Sequence, residues 1–138
     1  MQQMNSIVML DGRVRLQQVE IPKPAAGQVL VRSLACGICG SDLHITRHAD
    51  EVFDVFHQLG LIPDESGEHA QVMLGHEFCA EIVEYGAGTQ QTLSVGSRVT
   101  SVPMLLSQNG AGVGVTPGTY GAYSEYFLLD EALLLPVP

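Results

Sequence analysis

Two short segments of this 138-residue chain carry side chains able to bind a metal or move a proton. The first is Ala35-Cys36-Gly37-Ile38-Cys39-Gly40-Ser41-Asp42-Leu43-His44, and the second is Gly75-His76-Glu77. Together they offer thiolate, imidazole and carboxylate ligands, bordered by glycines where the backbone can turn sharply. Zinc suits that donor set, being borderline soft, tetrahedral and content with sulfur, nitrogen and oxygen. A catalytic zinc keeps three protein ligands and one open position, which Cys39, His76 and one further group would supply. Cys36 and Cys39 also form a CxxC, the mark of a zinc knuckle or a redox pair. A knuckle needs a second such pair, and Cys79 stands alone. A thioredoxin-like pair needs a βαβ setting, which the rest of the chain does not offer.

The elements that must position these groups read mostly as short strands. Ile7, Val8 and Leu10 form one run, Asp11-Gly12 is a strong hairpin signal, and Val14, Leu16 and Val19 continue beyond it. Ile21-Pro22-Lys23-Pro24 is an extended connector, because each proline biases its predecessor away from the α region. Residues 28–34 alternate and suit a strand with one face in the core. Ala35 to His44 reads as a glycine-broken turn and then a short helix. A longer helix is expected over Asp50 to Leu59, with Val52, Val55, Phe56 and Leu59 on its inner face, Asp50 as N-cap and Gly60 as its end. This element reads as a lid or packing helix without chemistry. Residues 61–71 look like a polar loop. Strand character returns at Phe78 to Val83, near Arg98 to Val102, and at Ala122 to Leu129. The glycine-rich stretch 107–121 reads as a mobile loop. The sum is a mainly β domain with short helices, expected to be a partly open barrel.

Composition narrows the partners. Apolar residues make up 46% and charged residues 15%, and the chain has the length of one domain with a real core. With a net charge of −9 and only six Lys and Arg, no basic patch can form. Nucleic-acid and anionic-membrane binding are therefore excluded as expectations. The N-terminus lacks the basic and apolar regions of a signal peptide, and no run nears the roughly 18 apolar residues of a membrane helix. Three cysteines are too few for a disulfide scaffold, so reduced thiols in the cytoplasm are expected.

Gly37-Ile38-Cys39-Gly40-Ser41-Asp42-Leu43-His44 resembles the first zinc motif of the zinc-dependent medium-chain dehydrogenases, the alcohol dehydrogenase family. Gly75-His76-Glu77-Phe78 resembles the second. Pro22-Lys23-Pro24 with Gln28-Val29-Leu30-Val31, then Val95-Gly96-Ser97-Arg98-Val99, and Gly121-Ala122-Tyr123-Ser124-Glu125-Tyr126 match the family in order. The resemblance covers nearly the whole chain. It implies the family's N-terminal GroES-like catalytic domain, spanning residues 1–138, with one catalytic zinc beneath a nicotinamide cofactor. A non-enzymatic GroES-like co-chaperonin or binding module would leave Cys39, Asp42, His44 and His76 unexplained. The zinc-free quinone-reductase branch lacks the ligand cysteine and histidine.

By this resemblance Cys39 is the thiolate ligand and His76 the imidazole ligand. Glu77 either joins the zinc or sits just outside it, exchanging with water. Neighbours on a regular strand point oppositely, so ligation by both His76 and Glu77 would need a bent backbone. Asp42 resembles the carboxylate that orients the zinc-bound histidine. Ser41 and His44 resemble the proton relay: Ser41 takes the hydroxyl proton of an alcohol acidified by zinc, and His44 receives it through the cofactor ribose near solvent. Hydride then passes to the nicotinamide. The residues themselves keep plainer readings open. Ser41 can be a helix cap and His44 a surface histidine, Cys36 a small buried thiol and Cys79 a core residue. His48, His57 and His69 can simply be solvated, and Met73 and Leu74 can pack ahead of His76.

Three departures qualify the resemblance. Many relatives carry a structural zinc in a four-cysteine lobe after the equivalent of Val99, whereas Thr100 to Leu106 contains no cysteine, so no structural zinc is expected. The stretch from Ile45 to Val72 is longer than usual and would shape substrate access. No Gly-x-Gly-x-x-Gly follows a strand, so NAD or NADP would bind through a Rossmann domain absent from these residues, and the resemblance places the third protein zinc ligand beyond residue 138 as well. The expectation is an NAD(P)-linked dehydrogenase of an alcohol or polyol and its carbonyl partner, homo-oligomer formation being left to the full-length protein. The 138 residues alone are expected to be inactive.

Overall fold

A computed structural model gives residues 1–62 and 71–138 of the chain. In order, the elements are β1 (Gln3–Leu10), β2 (Arg13–Glu20), β3 (Gln28–Gly37), α1 (Gly40–Arg47), α2 (Ala49–Gln58), β4 (Val72–Met73), β5 (Glu77–Tyr85), β6 (Arg98–Ser101), β7 (Met104–Leu105), β8 (Ala111–Gly112), β9 (Tyr126–Asp130) and β10 (Leu134–Pro136). The architecture is mainly β, as expected. A five-stranded sheet runs β10-β6-β5-β3-β9, a three-stranded sheet runs β2-β1-β4, and β7 pairs with β8. The sheets do not close into a barrel. His69, with the rest of the loop expected from 61 to 71 except for its ends, lies outside the described residues.

The first hairpin forms as its turn dictates. Asp11 and Gly12 both have positive φ, 51° and 68°, and β1 and β2 pair in register from Leu10–Arg13 to Gln3–Glu20. Two central left-handed residues match the turn to the right-handed twist of the strands. β3 departs from the simple alternation its sequence suggested: Gln28, Val29, Leu30 and Val31 are all buried. It is flanked by β5 and β9, and its pairing with β5 shifts register between Leu30 and Val31 and again between Ser33 and Ala35. Such bulges bend a strand and re-aim its side chains. β3 also continues through Ala35 to Gly37, where a turn was expected.

One core cluster fills the main sheet, with Val29, Val31, Phe78, Ile82, Val99 and Phe127 among its members. Phe78 and Phe127 meet edge to face with ring centroids 4.8 Å apart. A second cluster of Met9, Ile45, Phe53, Ile62, Val72 and Leu74 seats both helices on the three-stranded sheet. Burying Ile45 there anchors α1 by about 1.5–3 kcal/mol.

α2 forms where expected, but it turns a different face inward. Phe53 is the buried residue, with Ala49, Val52 and Phe56 packed beside it, while Val55 and Leu59 are exposed. The sequence permits two overlapping stripes at i, i+3, i+4, i+7, and the one containing the larger Phe53 fills the second core. His48, not Asp50, is its N-cap. Gly60 ends the helix as predicted, with Gly60 N donating to His57 O at 2.9 Å and Leu61 N to Phe56 O at 2.9 Å. Among the described residues no helix is long and apolar enough to cross a membrane.

The stretch expected to be a mobile loop, 107–121, is built into the fold. Val113, Thr116 and Thr119 are buried, and Gly112 N donates to Thr116 Oγ1 at 2.9 Å. Gly114 passes so close to Gly75 that a Cβ would collide with the Gly75 carbonyl. The glycines serve this close approach as well as turning.

Candidate metal centre

The two chemical segments converge at the end of β3, the start of α1 and the start of β5. Helix α1 starts where it does because Cys39, extended at φ −90° and ψ 150°, acts as its N-cap. Asp42, at the third helical position, folds its carboxylate back so that Oδ2 accepts the Cys39 N–H at 3.0 Å. This contact satisfies a backbone donor that the helix leaves open and places negative charge at the positive end of its dipole. Ser41 is therefore not the helix cap. It lies inside the first turn, exposed, with Oγ 3.1 Å from His76 Nε2.

His76 follows a glycine that no other residue could replace without strain. Gly75 has φ 104°, and a Cβ there would stand 2.6 Å from Tyr123 N. The Gly75 carbonyl accepts Ala122 N–H at 2.9 Å, and Leu74 O accepts Tyr123 N–H at 3.0 Å. Strand geometry begins only at Glu77. The backbone is thus irregular at His76, which lets adjacent side chains serve one centre. One ligand atom each from Cys39, His76 and Glu77 all lie within 4.8 Å of one another. Across the sheet Glu77 pairs with Gly37, where a Cβ would approach Glu77 Oε2 to 3.0 Å. The glycine leaves that carboxylate its space.

Behind the cluster stands Asp42, 3% exposed. Its Oδ1 lies 3.4 Å from His76 Nδ1. Both atoms are buried, and neither has a hydrogen-bond partner among the described residues. With Nδ1 facing a carboxylate, Nε2 faces Ser41 and the cluster. The donor set of sulfur, nitrogen and carboxylate oxygen, with a carboxylate behind the imidazole, fits a zinc ion.

The structure brings together Cys39, Ser41, Asp42, His76 and Glu77. His44 stays exposed on α1, its ring centroid 4.8 Å from that of His48. It lines a pocket of about 240 Å³ with Glu51, Val52, Val55 and Phe56. Cys36 is half-buried and packs against the main core, and its thiol donates to Gly37 O at 3.5 Å. Burial pushes that thiol above its ordinary pKa, and the nearby carboxylates of Asp42 and Glu77 add to the rise. Cys79 is half-buried in β5, paired with Ala35.

One residue of the centre carried no role in the sequence reading. Tyr123 Oη lies 2.9 Å from Asp42 Oδ2 and 3.0 Å from Gly37 O. Burial, and then the bond to Asp42, hold its phenol well above the ordinary value, so it remains a donor. The signal for it is a tyrosine in the strand expected over Ala122 to Leu129, whose hydroxyl needs a partner once covered.

Residues 25–138 match the family described as the alcohol dehydrogenase GroES-like domain. The chain is 35% identical over 138 residues to (R,R)-butanediol dehydrogenase of Bacillus subtilis, a match covering 91% of this chain and 37% of that protein. It is 32% identical over 130 residues to L-threonine 3-dehydrogenase of Cutibacterium acnes, covering 83% of this chain and 33% of that protein. The crystal structure of the Bacillus subtilis 2R,3R-butanediol dehydrogenase superposes with a TM-score of 0.73 at 32% identity, over 98% of this chain and 40% of that one. Acetophenone reductase from Geotrichum candidum, solved in complex with NAD, gives a TM-score of 0.74 at 26% identity, over 99% and 40%. The chain therefore spans less than half the length of these relatives. With a mainly β fold of this topology and a matched stretch running from residue 25 to residue 138, the chain belongs to the alcohol dehydrogenase GroES-like domain family, the N-terminal domain of the zinc-type medium-chain dehydrogenases.

Proposed function

We propose that these 138 residues are the zinc- and substrate-binding part of an NAD(P)-linked dehydrogenase acting on an alcohol or polyol and its carbonyl partner. The observation that carries the reading is the convergence of Cys39, His76 and Glu77 within 4.8 Å, with Asp42 buried behind the histidine. Cys39 and His76 hold the ion, and Glu77 completes the set or stands beside it. When bound, zinc supplies Lewis acidity toward the substrate oxygen.

Each remaining role falls to a side chain of this chain. Asp42 holds the His76 ring with Nδ1 toward itself and Nε2 toward the cluster. Ser41 Oγ, at the cluster, takes the hydroxyl proton. His44, three residues further along α1 and exposed, hands that proton on to solvent. NAD or NADP binds through a Rossmann domain outside these residues, and a third protein ligand comes from beyond residue 138, in keeping with relatives more than twice as long. No structural zinc accompanies the catalytic one, since Thr100 to Leu106 offers no thiolate. The partners are small molecules in the cytoplasm, and the full-length protein has the option of self-association. A co-chaperonin-like binding module gives no reason for the convergence of ligands.

Cobalt(II) added to the metal-free chain tests the reading. An intense thiolate-to-metal absorption is expected, abolished by Cys39→Ser and by His76→Ala. Cobalt uptake without that band would count against Cys39 as a ligand.

A further inference from the structure

We infer that Tyr123 is a positioning residue of this centre: its phenol locks the plane of the Asp42 carboxylate, and through it the tautomer of His76. The inference rests on the metal-centre reading above for its purpose, but its geometry stands in the metal-free chain.

Asp42 Oδ2 accepts two donors, the Cys39 N–H at 3.0 Å and the Tyr123 O–H at 2.9 Å. The carboxylate torsion of aspartate is broad, so one donor alone leaves the plane free to pivot. A second donor from a different element fixes it. Tyr123 also lies 3.0 Å from Gly37 O, but a single hydroxyl proton goes preferentially to the charged acceptor. With Oδ2 doubly engaged, Oδ1 is directed at His76 Nδ1, 3.4 Å away, and both of these buried atoms lack another partner among the described residues. A carboxylate facing Nδ1 places the proton there and leaves the Nε2 lone pair toward the cluster.

The tyrosine is itself rigidly held. Tyr123 N donates to Leu74 O at 3.0 Å, and Tyr123 O accepts the Ile7 N–H at 3.1 Å. Its backbone is therefore tied to the segment that presents His76, and its hydroxyl to the helix that presents Cys39. One residue sets the relation between the two ligand-bearing segments.

The test is a double-mutant cycle of Tyr123→Phe and Asp42→Asn on the full chain, read by zinc affinity and by the ¹⁵N spectrum of His76 in metal-free protein. The spectrum is recorded above the pH at which imidazoles lose their second proton. Tyr123→Phe is expected to raise the zinc dissociation constant about tenfold, as loss of an outer-shell partner does. It is also expected to convert a fixed Nδ1–H tautomer into a mixture. In the Asp42→Asn background the same change is expected to alter affinity by less than about twofold, because the two residues act as one unit. Equal losses in both backgrounds, with the tautomer unmoved, would reduce Tyr123 to a packing residue and overturn the inference. If the parent chain binds no zinc, the metal reading fails separately. The tautomer comparison then decides alone: a mixture in Tyr123→Phe supports the positioning role, and an unchanged spectrum removes it.

Discussion

Asp42 Oδ1 and His76 Nδ1 face each other across 3.4 Å, buried, with no other hydrogen-bond partner for either among the described residues. The same aspartate caps the backbone of Cys39 through its other oxygen. One carboxylate thus starts the helix that Cys39 caps and faces the ring of His76, the two residues proposed as ligands. Asp42→Asn is nearly isosteric and removes the charge from both tasks. Zinc affinity is expected to fall by about 10- to 100-fold, and stability by about 1 kcal/mol from the weakened helix start. Chelator competition and urea unfolding measure the two effects. Unchanged affinity with lowered stability would make Asp42 a helix cap and nothing more.

Gly75 is where the bend at His76 is made. At φ 104° with the Tyr123 amide 2.6 Å from any added Cβ, Gly75→Ala meets both backbone strain and a clash with main chain. A loss of about 2 kcal/mol or more is expected in urea unfolding, together with weaker zinc binding. Gly60→Ala serves as the comparison, since a Cβ there meets nothing within 4 Å. Its cost is expected to be confined to the left-handed φ at the end of α2, roughly 1 kcal/mol. Equal effects at the two sites would contradict the role given to the Gly75 contact.

The inward face of α2 is open to direct measurement. Phe53→Ala is expected to cost about 3–5 kcal/mol and Val55→Ala less than about 1 kcal/mol. The reverse ranking would restore the stripe the sequence first suggested.

Alkaline pH is expected to destabilise the chain. Burial is the leading cause that raises the phenols of Tyr85, Tyr120 and Tyr123 above their ordinary 10.0. Between the unfolded and folded values the folded chain binds more protons, so stability is full below about pH 10 and falls as pH rises beyond it. In urea unfolding between pH 8 and 12, Tyr123→Phe is expected to show a shallower decline than the parent. An identical decline would mean that Tyr123 titrates alike in both states.

What the sequence made legible was local. Asp11-Gly12 dictates its own turn, Gly60 ends α2, and Cys39, His76 and Glu77, singled out by residue type, are brought within 4.8 Å of one another as a candidate metal-binding group. What stayed hidden depended on tertiary choice. Two apolar stripes compete on α2, and only the cavity left by Met9, Val72 and Leu74 selects Phe53. The glycines of 107–121 look like a mobile loop because composition cannot distinguish freedom from close packing, which here lies against Gly75. Tyr123 is separated by 81 positions from Asp42, and no periodicity links them. Cys39 as helix cap was masked by Ser41, a better capping residue two positions too late.

The central claim is that Cys39 and His76 hold one metal ion. Elemental analysis of the purified chain, as wild type, Cys39→Ala and His76→Ala, tests it most directly. About one zinc per wild-type chain, lost in both variants, is the predicted result. Zinc retained at wild-type content in both variants would contradict the assignment.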